Sequence, residues 1–255
     1  MASKKVSLVS EVVPAEAEVA VVGAKVSDWG QSSYSASDIV IPRILLMQGT
    51  SKLVADGKMM VASIVDSMNE KVLGNPDKPL SIIPFHMSKS WSVSEKLEGQ
   101  WKWIRRDVWT PANDGQAWEQ TIGGKEFKFE KTYDFYVLLE ADTTLPYVLS
   151  MKSTSARAAK ELATQMYSKN RMAGLVPPGK VIKLSVERVV KEDKKYAVYK
   201  TSVEKDTPQE LIAIAFKWFN SIQAGQVKEH EVKEDSEVNS TPGTFSASDI
   251  ESGQF

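Results

Sequence analysis

The sequence contains no cysteine, and histidine occurs only at His86 and His230. Without thiols there is no disulfide framework, thiolate metal site or cysteine nucleophile. Two separated histidines likewise exclude a multi-histidine metal centre, so no metal and no cofactor is expected. No apolar run approaches the roughly 18–20 residues that cross a bilayer. Lys4 and Lys5 are followed by Glu11, Glu16 and Glu18 rather than an unbroken apolar stretch, which is not a signal-peptide pattern. The chain reads as soluble and cytoplasmic, with no membrane partner. An excess of one charge is also lacking: 32 Lys+Arg face 33 Asp+Glu in 255 residues, a formal net charge of -1. Taken whole, that balance argues against a nucleic-acid binder, which is usually basic.

The balance is a cancellation. Residues 1–40 hold three Lys against five Asp/Glu, and residues 226–255 hold two Lys against seven. The body between them keeps 27 basic and 21 acidic side chains, or +6. Three regions follow: a flexible N-terminal arm over 1–38, a β-rich core over 39–225 and a disordered acidic tail over 226–255. The arm sustains no helical or strand period, although Val19 to Val22 has the composition of a short edge strand. The tail carries Glu229, Glu231, Glu234, Asp235 and Glu237 and then a Ser/Thr/Pro/Gly-rich stretch. Such a segment buries too little apolar area to offset its ordering entropy.

Within the core, short apolar or alternating runs separated by Gly, Pro, Asn and Asp predict strands. Ile39 to Met47 is the first, interrupted by Pro42, which does not suit a central strand. Met59–Val65, Leu80–Met87, Gln100–Trp109, Phe127–Leu139 and Pro146–Lys152 follow. Gly123-Gly124 marks a hairpin turn, and Val181–Val190 with Tyr196–Val203 marks another hairpin. Two helices are predicted. One is capped at Ser153, Thr154 or Ser155 and runs to about Asn170, with Ala159, Leu162, Ala163, Met166 and Tyr167 as its apolar stripe. The other has Thr207 as cap, Pro208 in the first turn and Glu210 closing a capping box. Its buried face is Leu211, Ile214, Ala215, Trp218 and Ile222, and Gly225 ends it. The fold class is therefore mainly β with two helices (α+β), and an OB-like β-barrel is the leading architecture.

Chemistry concentrates in the middle. Trp91, Trp101, Trp103, Trp109 and Trp118 fall among Lys89, Lys96, Lys102, Arg105 and Arg106. Aromatic faces stack on unpaired bases whatever the sequence, and cations beside them track phosphates. A lone Trp usually belongs to a core; five this close, interleaved with cations, put some of them at a surface. Trp91, Trp101, Trp103 and Trp109 are the candidate stacking surfaces. Lys89, Lys102, Arg105 and Arg106 are the candidate phosphate contacts. Arg157 and Lys160 on the first helix join them, against the plain alternative of a solvated helix face.

The end of the chain points the same way. An acidic tail closing on Asp249, Ile250, Glu251 and Phe255 resembles the tails of bacterial and bacteriophage single-stranded DNA-binding proteins. That resemblance implies an OB-fold core that binds the strand. It also implies a tail that recruits replication and recombination proteins through its acidic residues and terminal Phe. Independently of it, a tail of -5 tethered to a body of +6 competes with any other anion for the same groove. A tethered ligand acts at roughly millimolar effective concentration. The expectation is a non-enzymatic, non-sequence-specific single-stranded DNA-binding protein of a bacteriophage, acting in replication or recombination in the host cytoplasm. Homo-oligomerisation is left open. The alternative is a scaffold or virion-associated interaction module without DNA binding. A third reading, a metal-dependent nuclease of PD…ExK pattern, rests on Pro76-Asp77 with Glu126-Phe127-Lys128 and is loose, because many chance pairs share that spacing.

Overall fold

In a computed structural model of the chain, the described residues are 39–169, 177–191, 194–225 and 228–229. The arm, the tail residues Asp249, Ile250, Glu251 and Phe255, and the expected strand at Val19–Val22 lie outside them. The protein is mainly β. Strands β1 (Val40–Ile41) and β2 (Arg43–Leu46) are separated at Pro42, whose missing N–H breaks the ladder. A four-residue helix α1 (Lys52–Ala55), which sequence reading missed, precedes β3 (Ile64–Asp66) and β4 (Val72–Gly74). The long strands are β5 (Leu80–Leu97), β6 (Gln100–Val108) and β8 (Lys125–Leu139). The short β7 (Glu119–Ile122) lies before β8, and β9 (Asp142–Met151) follows it. Helix α2 (Ala156–Ala163) continues as a π-helical turn over Thr164–Lys169. The hairpin β10 (Lys180–Lys191) and β11 (Lys194–Asp206) leads to α3 (Gln209–Gln223) and β12 (Lys228–Glu229).

Ten strands form one sheet in the order β11-β10-β5-β8-β9-β2-β3-β4, with β6 on the outer half of β5 and β7 on the outer half of β8. The sheet curls into a half-barrel. A separate parallel pair joins β1 to β12, Ile41 opposite Glu229. The largest core lies on one sheet face and draws Ile64, Leu149, Phe135, Leu184, Ala197 and Tyr199 together under Ala158, Ala159, Leu162 and Met166 of α2. The opposite face holds a second core, where Ile83, Phe85, Leu138 and Val148 meet Leu211, Ile214, Ala215, Trp218 and Ile222 of α3. These are the five residues expected to form that helix's buried face.

Curling brings the β11 edge to the far side of the sheet. Gln48, just beyond β2, donates from Nε2 to the carbonyl of Ala197 at 3.0 Å and accepts from its N–H at 2.9 Å. One side-chain amide thus makes both bonds that a neighbouring strand would make. It also blunts a long edge against pairing with another chain.

Four local expectations need correcting. Helix α3 starts at Gln209 after Pro208 with no side-chain cap bond. Thr207 lies too early for the capping box: its N–H binds Gly179 O at 3.1 Å and its buried hydroxyl has no partner. The first helix is not capped by a side chain either, because Ser153 turns away to the Glu130 carboxylate. Tyr167, expected on the apolar stripe, is 41% exposed, since the π-helical turn shifts the register beyond Ala163. Strand β5 also continues ten residues past the expected end at Met87, through a run that alternates with serine.

Candidate nucleic-acid interface

Beyond the two helix-covered cores, the outer halves of β5 and β8 with β6 and β7 form a four-stranded extension. Successive strand residues point to opposite faces, and directly opposed residues share a face. The register therefore sorts the tryptophans. Trp91 lies opposite Asp107 and Lys131. With Val93, Phe129, Ile104, Phe127 and Trp109 it builds a third, small core. Trp91 is 4% exposed and its Nε1 donates to Asn113 Oδ1 at 3.1 Å. Trp109 donates to Asp114 Oδ1 at 2.6 Å. The Lys89 ammonium stands 4.3 Å from the Trp109 ring centroid. Asp114 also receives Lys131, and these two bonds hold its pKa below the usual carboxylate value. Of the four expected stacking residues, then, Trp91 is core and Trp109 half-buried beside it.

Trp101 and Trp103 project from the other face. Across the sheet the rows there read Trp101–Lys96–Glu126–Thr121, then Trp103–Ser94–Lys128–Glu119, then Arg106–Ser92–Glu130, then Val108–Ser90–Thr132. Ser88, Ser90, Ser92 and Ser94 supply the middle of the face. Ser90 and Ser92 are buried between taller neighbours, with Trp101, Trp103 and Arg106 on the β6 side and Lys128, itself buried, on the β8 side. Trp103 Nε1 is buried without a hydrogen-bond partner. The Lys96 ammonium lies 5.8 Å from the Trp101 centroid and binds Glu126 Oε2 at 2.7 Å, a bond that raises its pKa. Lys128 sits 4.7 Å from the ring centroid of Trp118, which is 45% exposed.

Two buried carboxylates organise the cations. Asp134 Oδ2 accepts from Arg106 Nη1 at 2.9 Å and from Ser90 at 3.1 Å. Its Oδ1 accepts from Ser150 at 2.5 Å and from Arg43 at 3.4 Å. Glu130 is held by Lys128 at 3.3 Å, by Lys152 at 3.9 Å and by the Ser153 hydroxyl. Burial alone would raise the Glu130 pKa; the two ammonium groups and the hydroxyl outweigh it and keep it below the ordinary value. The cations are thereby fixed in place rather than free on long side chains.

The remaining expected contacts scatter. Lys102 faces Glu95 across the strands on the side of the small core. Arg105 is exposed and pairs with Asp107 at 2.8 Å. Arg157, 89% exposed at its side chain, pairs with Glu161. Both it and Lys160 belong to α2, over the other sheet face. Arg106 alone among the expected phosphate contacts shares the face of Trp101 and Trp103. Sequence reading missed Arg43, Asp134, Glu130 and the serines. The signal was the alternation Ser88-Lys89-Ser90-Trp91-Ser92-Val93-Ser94, a period-two pattern in residues that do not read as strand formers.

The nuclease set is parted. Glu126 and Lys128 share a face, but Asp77 sits in the turn before β5 while Glu126 binds Lys96 near the far end of that strand. Some sixteen residues of strand at about 3.3 Å each separate them. Among the described residues no group of three His, Asp or Glu side chains is placed to hold a metal ion, and no helix is long and apolar enough to cross a membrane.

Fold and site together define a mainly β protein whose half-barrel sheet carries, on one face of a strand extension, tryptophans and ion-paired cations side by side. The chain belongs to the Pam3 phage gp34-like protein family, whose model matches residues 14–228. No curated protein and no solved structure matches it.

Proposed function

We propose that the protein binds single-stranded DNA without sequence-specific readout, in bacteriophage replication or recombination, through the tryptophan-bearing face of an OB-like half-barrel. The observation that carries this reading is the shared face of Trp101 and Trp103 with Lys96, Arg106 and Lys128. Indole faces accept unpaired bases, and the adjoining cations follow the phosphates. The face takes an extended strand, since β6, β5 and β8 run side by side along it for several residues. Membership of a phage-named family agrees with the setting. The acidic tail acts as a tethered competitor and as the recruiting arm for replication and recombination proteins. Its tether is favourable: β12 pairs with β1 at Ile41, two residues before Arg43, which reaches Asp134 in the same network as Arg106.

Titration of intrinsic fluorescence with an oligothymidine tests the reading. Quenching relieved by salt is expected, with a log–log slope of about -0.7 per phosphate contacted. Trp101→Ala and Trp103→Ala should each weaken binding by about 1–3 kcal/mol, whereas Trp91→Ala should lower stability through the small core. Deleting 230–255 should tighten binding at low salt. Absence of quenching at low salt would rule the function out.

A further inference from the structure

The edges of the large sheet are unequally protected. β4 and β7 are three and four residues long, too short to template a long ladder. β11 is long, but Gln48 occupies both outward groups of Ala197, and Gln165 Nε2 donates to the Thr201 carbonyl at 3.3 Å. β6 is treated differently. Its nine residues pair with β5 on one side, and none of them is buried. Among the described residues, no backbone group from Gln100 to Arg105 bonds outside the β5–β6 ladder. Val108, at the end of the strand, is 77% exposed.

We infer that β6 pairs antiparallel with β6 of a second copy of this chain, about a two-fold axis between Ile104 and Arg105. Ile104 is the extra residue where the β5–β6 register shifts, and it sets the faces. Trp101, Trp103, Arg106 and Val108 share one, and Lys102, Ile104, Arg105 and Asp107 share the face of the small core. In the inferred register Trp101 lies opposite Val108 of the second copy, and Lys102 opposite Asp107. Trp103 lies opposite Arg106 and Ile104 opposite Arg105, and the two-fold repeats each pair. Every pair then shares a face, as directly opposed residues do. A slip of one residue opposes the two faces. A slip of two sets Lys102 against Arg105 in one direction and Arg105 against Arg106 in the other, and like charges directly opposed destabilise a pair. Charges that ordinarily keep an edge single thus admit one register. The ions it joins are ready to meet. Lys102 makes no hydrogen bond or ion pair among the described residues, and Asp107 commits only Oδ1, to Arg105. The same register covers exposed Val108 with the Trp101 indole and carries the face of Trp101, Trp103 and Arg106 across the axis.

Sedimentation velocity of the full chain, from low micromolar to several hundred micromolar, tests the pairing. No DNA is present, so the outcome is separate from the proposed binding. A contact along one strand edge is small and belongs with the weak interfaces, and a monomer–dimer equilibrium is expected within that range. Lys102→Asp and Asp107→Lys each oppose like charges at both symmetry-related positions. Each should weaken self-association about tenfold, the size of two exposed ion pairs turned from attraction to repulsion. Mixing the two variants in equal amounts should restore association to the wild-type level, because every 102–107 pair across the axis is again of opposite sign. A wild type that stays monomeric throughout would overturn the inference, as would single variants that associate like the wild type. Weakening that mixing does not repair, with both variants folded by circular dichroism, would overturn the register.

Discussion

At the scale of residues, the site is governed by two carboxylates that no composition argument singles out. Asp134 is 3% exposed and Glu130 8%, yet each is met by two cations and at least one hydroxyl. Burying a charge is costly unless it is paired and hydrogen-bonded, so the arrangement is a requirement of placing these groups in a sheet. Glu130 supplies a test. Burial pushes its pKa up, but Lys152, Lys128 and the Ser153 hydroxyl outweigh it, so the folded pKa lies below the ordinary glutamate value. The unfolded chain then takes up the proton at higher pH than the folded one. The stabilisation is complete above the ordinary carboxylate value and is lost as pH falls through the depressed folded value. Urea midpoints measured from about pH 6 down to pH 3 should fall for the wild type more steeply than for Glu130→Gln, the two curves converging at the acid end.

At the scale of elements, prolines fall where the ladder is already irregular. The β5–β8 register shifts between Pro84 and His86, so a proline sits in a central strand only because a bulge absorbs its missing donor. Reading the turns from Gly, Pro and Asn works for the same physical reason: Gly123 and Gly124, with φ of 60° and 78°, occupy backbone that side-chain-bearing residues avoid. The serine half of β5 was not legible, since serine has no apolar period to display and its strand is held by β6 and β8 rather than by local preference. Helix α3 was legible in its buried face and wrong in its cap. Ala215, fully buried, is the one buried residue of this helix and packs into the second core. Ala215→Leu should overpack that contact and cost about 1–3 kcal/mol in chemical denaturation. An unchanged midpoint would show that α3 rides loosely on the sheet.

At the scale of the whole described unit, closure of the half-barrel depends on contacts between distant segments. Gln48 meets Ala197 across 149 residues, and Arg188 Nη2 reaches Val61 O at 3.4 Å across 127. Nothing near either glutamine or alanine in sequence announces the pairing. Gln48→Ala should leave the Ala197 amide without its acceptor, costing about 1–3 kcal/mol. Hydrogen exchange at Ala197 should accelerate while the central amides of β5 and β8 keep their protection. Exchange unchanged at Ala197 would show that the edge is covered by other means.

Sequence by itself determined that the chain is mainly β, where its hairpins turn, which face of α3 is buried, and that a basic body lies between acidic ends. Those features are set by short-range alternation, turn chemistry and charge, all of which are local. Only the tertiary structure decided which tryptophans face outward, because a strand's two faces are distinguished by what packs on them. It likewise decided that Arg106, Lys128 and the serines share one face while Arg157 and Lys160 belong to another. Register across β6, β5, β8 and β7 is a non-local property, and with it the absence of excess charge that marks the sequence becomes a patterned surface with paired, immobilised cations.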